Sequence, residues 1–223
     1  MAIETEIKFK VPDRELYDSI VPLKNIAGYT ASDRGTETIS DTYFDTPDNR
    51  LLNEKSVFRL RMAGSKPVLA FKSHQPSGGS FYRRIEIESP VEITPEDITS
   101  GPLPGIPPCR AFSEKFGAVR LSVSMNAGNN RRRILLQKDG VAQFELVLDD
   151  VTFSGPRGTH SVCELEVESL GGTDEELEKI GAWLKKKYDL NYAGPSKYIL
   201  GMNFVGNVGN IGNAGDVGEK GNV

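Results

Sequence analysis

Apolar and charged residues alternate with a two-residue period from the start of the chain. Thr5, Ile7 and Phe9 fall on one parity, and Glu4, Glu6 and Lys8 on the other. Side chains of a strand point to opposite faces in turn, so residues 2–11 are predicted as a strand with one apolar and one charged face. A single strand of this kind is ordinarily a surface strand with its charges in water. Here the pattern recurs: same-parity charges return at Arg59 and Arg61, at Arg84, Glu86 and Glu88, at Arg131 and Arg133, and at Glu164, Glu166 and Glu168. Several strands with charged faces need a shared wet space to face.

The same periodicities divide the rest of the chain. After the first strand, Pro12-Asp13 opens a short helix over about residues 13–23, with Leu16, Ile20 and Leu23 inward. Strands are predicted at 36–45, 56–63, 67–74 and 81–91, separated by the turn sequences Pro47-Asp48-Asn49, Gly64-Ser65 and Ser77-Gly78-Gly79. Residues 95–118 break the pattern, because Pro102, Pro104, Pro107 and Pro108 favour an irregular connection, in which a short helix is read at 110–116. Strands resume at 119–125, 131–138, 142–151 and 160–169, with Lys138-Asp139-Gly140 as a hairpin turn. Thr173-Asp174-Glu175-Glu176 then forms a capping box, and Leu177, Ile180, Leu184 and Tyr188 mark one face of a helix reaching about residue 188. Trp183 belongs to the packing of that helix.

Composition narrows the function classes. The 223 residues are 38% hydrophobic and 26% charged, as expected of one globular domain with a substantial core. The net charge of -4 argues against general nucleic-acid binding, which needs a broad basic field. Cys109 and Cys163 stand in no metal-ligand spacing and read as free thiols of a reducing compartment, with a disulfide between them left open. Without a basic leader or a membrane-length apolar run, a cytoplasmic location with no membrane association is the expectation. From Gly206 glycine recurs every third residue through Gly221 without any proline, which reads as a low-complexity, disordered tail rather than collagen.

Taken in order, Glu4-x-Glu6-x-Lys8, Tyr43-Phe44-Asp45-Thr46, Arg59-x-Arg61, Lys72, Arg84-x-Glu86-x-Glu88, Asp149, Glu164-x-Glu166 and Ser196-Lys197 resemble the CYTH, or triphosphate tunnel metalloenzyme, superfamily. The opening E-x-E-x-K string is common by itself; the ordered set is specific. The resemblance covers about residues 1–204 and leaves 205–223 as the tail. It implies an α+β fold in which about eight antiparallel strands close into a barrel with flanking helices and a charged, tunnel-like interior.

Such a site needs both signs of charge. A small-molecule triphosphate is held by guanidinium and ammonium groups, for which Lys8, Arg59, Arg61, Lys72, Arg84, Arg133 and Lys197 are the candidates. Carboxylates would repel it unless a hard divalent cation, Mg²⁺ or Mn²⁺, lies between. Glu4, Glu6, Glu164 and Glu166 are the leading metal ligands, with Glu86, Glu88 and Asp149 as further candidates; barrel closure would bring the first and last strands together. Glu4, Glu6, Lys8 and Glu166 are the expected catalytic set. The competing assignments are plain ones. Glu88 and Glu168 are equally well read as solvated rim charges. Arg133 is preferred over Arg131 and Arg132 because it lies deeper in its strand. Asp149 and Asp150 have opposite parity, so at most one faces inward. His74 and His160 are read as exposed, Tyr43 and Phe44 as wall and core, and Asp45 as the cap of the following turn.

The resemblance implies metal-assisted phosphoryl transfer to water, with inorganic tripolyphosphate as the leading substrate. No Ser, Cys or His constellation suggests a covalent intermediate. Alternatives are a thiamine triphosphatase, which would need an aromatic platform such as Trp183 or Tyr82, a class IV adenylyl cyclase, and a non-catalytic module that binds polyphosphate or nucleotide.

Overall fold

The computed structural model describes residues 2–75 and 81–206. In chain order the elements are β1 (Ala2–Val11), α1 (Glu15–Ile20), β2 (Asn25–Ile26), β3 (Tyr29–Asp45), α2 (Arg50–Asn53), β4 (Ser56–Ala63), β5 (Lys66–Gln75), β6 (Tyr82–Pro90), α3 (Pro95–Ser100), α4 (Pro107–Phe116), β7 (Ser122–Lys138), β8 (Val141–Gly155), β9 (Gly158–Ser169), α5 (Asp174–Tyr188), β10 (Asn191–Tyr192) and α6 (Lys197–Val205). Neighbouring strands run antiparallel in the order β1-β6-β5-β4-β3-β7-β8-β9, and β9 pairs back onto β1 to close an eight-stranded ring. The fold is α+β, a closed antiparallel barrel with helices around it. Closure removes the two open edges that a sheet of this size would otherwise present.

Helices cover the outside of the ring, so the apolar faces of the strands point outward. Ile7 and Phe9 of β1, Leu146 and Leu148 of β8, and Leu165 and Val167 of β9 pack under Leu177, Ile180 and Leu184 of α5. On the other flank Phe44, Phe58, Leu69 and Phe71 meet Cys109, Phe112 and Phe116 of α4. The connection at 91–121 therefore clads the outer wall. Its prolines serve as helix starts: Pro95 opens α3 behind the Thr94–Asp97 capping box, and Pro107 and Pro108 open α4. Proline is well suited to the first helical turn, where its missing N–H would have no partner in any case.

A third apolar cluster lies inside. Tyr43, Val57, Met125, Ala127, Val151 and Phe153 occupy inward positions of their strands and pack on Tyr198, Met202 and Val205 of α6. This helix fills part of the ring's interior and leaves the remainder to the charged side chains. Sequence reading found its Ser-Lys start only as a motif, and Val205, counted with the tail, is its buried last residue. The turn at Ser77-Gly78-Gly79 and the glycine repeat from 207 onward lie outside the described residues. Among the described residues no helix is long and apolar enough to cross a membrane.

Two departures from the predicted strands bear on the site. The segments predicted at 119–125 and 131–138 merge into one strand, β7, which starts only at Ser122, because the intervening Asn-rich stretch is laddered on both sides. Asn126 and Asn130 accept hydrogen bonds from Thr42 and Thr38 at 3.0 and 3.2 Å, and such cross-strand pairs override weak strand propensity. Strand β3 starts earlier than residue 36 and carries a bulge: Asp33 pairs with Ile134 and Thr36 with Arg132, so Arg34 and Gly35 stand against one residue of β7. Gly35, at φ +82°, takes the left-handed conformation that the bulge needs. The extra residue reverses the facing of odd positions, so Tyr29 and Ala31 face the outer core whereas Asp41 and Tyr43 face the interior.

Asp45 ties the wall to α6. Its carboxylate accepts from the backbone N–H of Thr46, Leu51 and Leu52 and from the Tyr198 hydroxyl, all at 2.6–3.0 Å. Its position as the cap of the following turn is thus met, with a second task added. Replacing Asp45 by Ala leaves these buried donors without an acceptor and is expected to lower the unfolding free energy by about 3 kcal/mol. A urea titration would show this as a lower midpoint at unchanged slope; an unshifted midpoint would refute it.

Candidate active site

The inward positions of the eight strands line a cavity of about 290 Å³. Register decides which charges meet, since residues paired across a ladder share a face. On one wall Glu4 stands opposite Arg84 and Lys72 opposite Glu86. Lys72 Nζ lies 2.7 Å from Glu86 and 3.2 Å from Glu4, and Arg84 bonds both Glu4 and Glu6. Burial works against ionisation of Glu4, but Lys72 and Arg84 outweigh it and hold the carboxyl down at about 2. At Glu6 burial prevails over Arg84 and Lys8, and its pKa is raised.

Ring closure builds the second wall. Lys8 is opposite Glu166, and Arg131 is opposite Asp149. Lys8 Nζ donates to Glu166 Oε1 at 2.6 Å, and Arg131 grips Asp149 with two hydrogen bonds of 2.8 and 2.7 Å while reaching Glu166 at 3.3 Å. Lys197, from the first turn of α6, enters the same group and lies 2.8 Å from Asp149 and 2.9 Å from Glu164. Burial disfavours the charges of Asp149 and Glu166, yet Lys197 with Arg131 or Lys8 holds Asp149 at about 2 and Glu166 well below the usual carboxylate range.

A third group contains Arg59 and Arg61. Arg61 is bidentate on Asp41 at 2.8 and 2.9 Å. Arg59 has only looser approaches, 3.7 Å to Asp41 and 3.6 Å to Glu88, and its buried Nε has no hydrogen-bond partner. A buried guanidinium with an unsatisfied fork is suited to accept an incoming anion.

All of the candidate residues except Asp149 and Glu164 line this cavity directly, and those two join it through Lys197. Several details differ from the sequence reading. Arg131, passed over in favour of Arg133, is the deeper of the two: side-chain exposures are 14% and 47%. Position counted from a turn does not measure depth in a ring, where tilt and register set it. Arg131 shares parity with Arg133, which is the signal that would have found it. Asp41 and Glu145, paired with Arg61 and Arg133, were likewise missed and likewise share parity with an inward neighbour. Tyr43 reaches the cavity as well as packing on Tyr198. Asp150 points outward to Arg14, leaving Asp149 as the inward residue of that pair. His74 and His160 are exposed.

Glu168 is part of the lining and not only a rim charge. It faces Glu6 and Glu145 across its two ladders, and among the described residues its side chain makes neither a hydrogen bond nor an ion pair. Burial first, then Glu4 and Glu6, push its pKa up to about 7.

Hard carboxylate oxygens dominate the acidic lining, with no His or Cys among them, which is the donor chemistry of Mg²⁺ or Mn²⁺. Glu164 Oε2, buried and without a hydrogen bond, and Glu168 have oxygens to spare for such an ion. Among the described residues no three His, Cys, Asp or Glu side chains are already gathered into a metal cage, because most of these carboxylates are drawn onto lysine and arginine. The residues fit the ion in chemistry, and side-chain movement would complete the geometry.

A closed antiparallel ring around a two-signed ionic interior defines a tunnel-type barrel. Residues 2–199 match the CYTH domain, and the chain belongs to the CYTH family. No curated protein is matched by the chain. Among solved structures, it is similar to a Hippeastrum protein proposed as an adenylyl cyclase and reported to have a dominant triphosphatase activity (TM-score 0.64, 19% identity, covering 91% of this chain and 96% of that one). A Bacillus halodurans protein proposed as an adenylate cyclase aligns with TM-score 0.67 at 16% identity over 90% and 98% of the two chains. A Pyrococcus horikoshii protein aligns with TM-score 0.56 at 15% identity over 90% and 98%. At these identities the likeness is one of fold.

The raised pKa of Glu168 has a definite sign. A carboxyl that titrates at 4.5 when unfolded and at about 7 when folded favours the native state below pH 4.5, and that contribution is lost as pH rises through 7. Glu168→Gln is therefore expected to be more stable than the parent at pH 8 by about 1–2 kcal/mol, allowing for partial exposure, with the gap closing toward pH 4.5. Paired thermal unfolding at the two pH values tests this; a gap independent of pH would contradict it.

Proposed function

We propose that the protein is a divalent-metal-dependent triphosphatase that hydrolyses inorganic tripolyphosphate and releases phosphate. The observation that carries this reading is the lining of the cavity. It is built almost wholly from paired cations and carboxylates; of its uncharged members, Tyr43, Val57 and Tyr198 are parts of the inner apolar cluster and Ser196 caps α6, so none is a platform for a base. Trp183 packs beside Tyr188 on α5, outside the ring, and the Tyr82 hydroxyl donates to the Ala193 carbonyl. Neither residue offered as a stacking surface for thiamine lines the cavity, which favours a substrate that is all phosphate.

In this mechanism Arg59, Arg61, Lys72 and Arg84, with Arg131 and Arg133, hold the phosphate oxygens, and Lys8 and Lys197 place ammonium charges beside them. Glu4, Glu6, Glu164 and Glu166 would hold the metal, with Glu86, Glu88 and Asp149 completing or orienting the set. When bound, the cation would supply neutralisation of phosphate charge and a lowered pKa for water. Glu166 and Glu6, at the seam of β1 and β9, orient the attacking water, while the buried cations exclude competing solvent from the phosphate chain. The CYTH membership and the fold likeness to a protein reported as a triphosphatase support hydrolysis in general; the lining supports the particular substrate.

Phosphate release from tripolyphosphate, thiamine triphosphate and ATP, each with Mg²⁺, Mn²⁺ or chelator, tests the proposal. Metal-dependent preference for tripolyphosphate is the expected result. Cyclic AMP from ATP, preference for thiamine triphosphate, or binding without turnover would each replace it. Glu6→Gln and Glu166→Gln are expected to lower kcat at least about 100-fold, whereas Arg61→Ala chiefly raises KM. Metal-dependent turnover unchanged in both glutamine variants would overturn the ligand assignment.

A further inference from the structure

Lys197 stands at a point where three carboxylates converge. Its Nζ is 2.8 Å from Asp149 Oδ2 and 2.9 Å from Glu164 Oε2, and it donates a hydrogen bond to Glu166 Oε1. The three acids come from two adjacent strands, and none of their side chains is more than 7% exposed. Only the contact to Glu166 has hydrogen-bond geometry; Glu164 Oε2 is buried without any hydrogen bond despite its closeness to the ammonium. Three oxygens therefore surround one nitrogen, and two of them lie outside hydrogen-bond geometry. A spherical cation in place of the ammonium would face the same three carboxylates, and a contraction of less than about 1 Å with side-chain movement would bring them to the oxygen distances of a small divalent ion.

Resting on the metal-dependent reading above, we propose that Lys197 is the internal counter-cation of this site. Its ammonium occupies the position between Asp149, Glu164 and Glu166, exchanges there with a divalent cation, and is thereby freed to meet a phosphate oxygen. The side chains around it suit an exchange. Three buried carboxylates need a cation between them at all times, because an uncompensated buried charge is strongly destabilising. Arg131 is fixed by its bidentate grip on Asp149, whereas Lys197 is a point charge on a flexible four-carbon stem. The root of that stem is anchored, since Ser196 caps α6 and Tyr198 is held by Asp45 and stacks on Tyr43. The ammonium can move while the helix stays in place. By linkage, metal and triphosphate then each tighten the binding of the other.

The test uses Mn²⁺ alone with the full chain, following free Mn²⁺ by electron paramagnetic resonance in the parent, Lys197→Met and Arg131→Met. Lys197→Met is expected to bind Mn²⁺ about 10-fold more tightly, and Arg131→Met to gain clearly less, because it does not stand at the convergence point. In the parent, acetylation of Lys197 by acetic anhydride, read by mass spectrometry, is expected to accelerate several-fold on adding Mn²⁺; this arm remains informative if Lys197→Met does not fold. Mn²⁺ binding with unchanged Lys197 acetylation, or equal tightening in both variants, overturns the exchange while leaving the metal-dependent reading intact. No Mn²⁺ binding to any form overturns both.

Discussion

The pairing of β9 with β1 is the contact on which the rest of the structure depends. It closes the ring, sets Lys8 opposite Glu166, and so brings residues from the two ends of the fold into one ionic group. Burying an ion costs several kcal/mol even after relaxation, and only close partners of opposite sign offset it. Most inward ladder pairs meet this requirement through register: Glu4 with Arg84, Lys72 with Glu86, Asp41 with Arg61, Arg131 with Asp149. A one-residue slip of any of these strands would send the charges into the outer cores and the apolar residues into the cavity.

The exceptions are as informative as the rule. Asp149 faces Glu164, and Glu168 faces both Glu6 and Glu145, so like charges stand opposite one another at two places. At the first, α6 delivers Lys197 from within the ring. At the second, Arg84 engages Glu6 and Arg133 engages Glu145, but among the described residues no cation pairs with Glu168, and its pKa is raised. Repulsion is relieved in one case by a partner and in the other by a proton, the two ways in which crowded carboxylates are accommodated. These are also the places where a divalent cation would find carboxylate oxygens beyond those that the protein's own cations fully engage.

An interior given over to ions needs its apolar stabilisation elsewhere. The helices supply it by covering the outer faces of the strands, and α6 adds a third cluster within the ring. Asp45 and the stacked Tyr43–Tyr198 pair connect that inner cluster to the wall, so the helix carrying Lys197 is positioned by the same residues that seal the interior. The bulge at Arg34-Gly35 belongs to the same design, since it lets β3 serve the outer core at one end and the cavity at the other.

Strand parity was legible in the sequence because alternation is a local property: Glu4, Glu6 and Lys8, or Arg84, Glu86 and Glu88, must share a face wherever their strand lies. The outward Asp150 and the inward Asp149 follow from the same rule. Turn chemistry was local too, and Asp139-Gly140 takes the left-handed conformations that a tight hairpin needs. Depth was not legible, which is why Arg131 was passed over for Arg133; distance from a turn says nothing about where tilted strands place a residue around a ring. The continuity of β7 through its Asn-rich middle came from neighbours on both sides, and the inward course of α6 from an apolar space that exists only once the ring is closed. The sequence by itself determined which residues face together, since that depends on backbone geometry over a few residues. Tertiary structure alone decided which facing charges meet, because ring closure and register join residues more than a hundred positions apart.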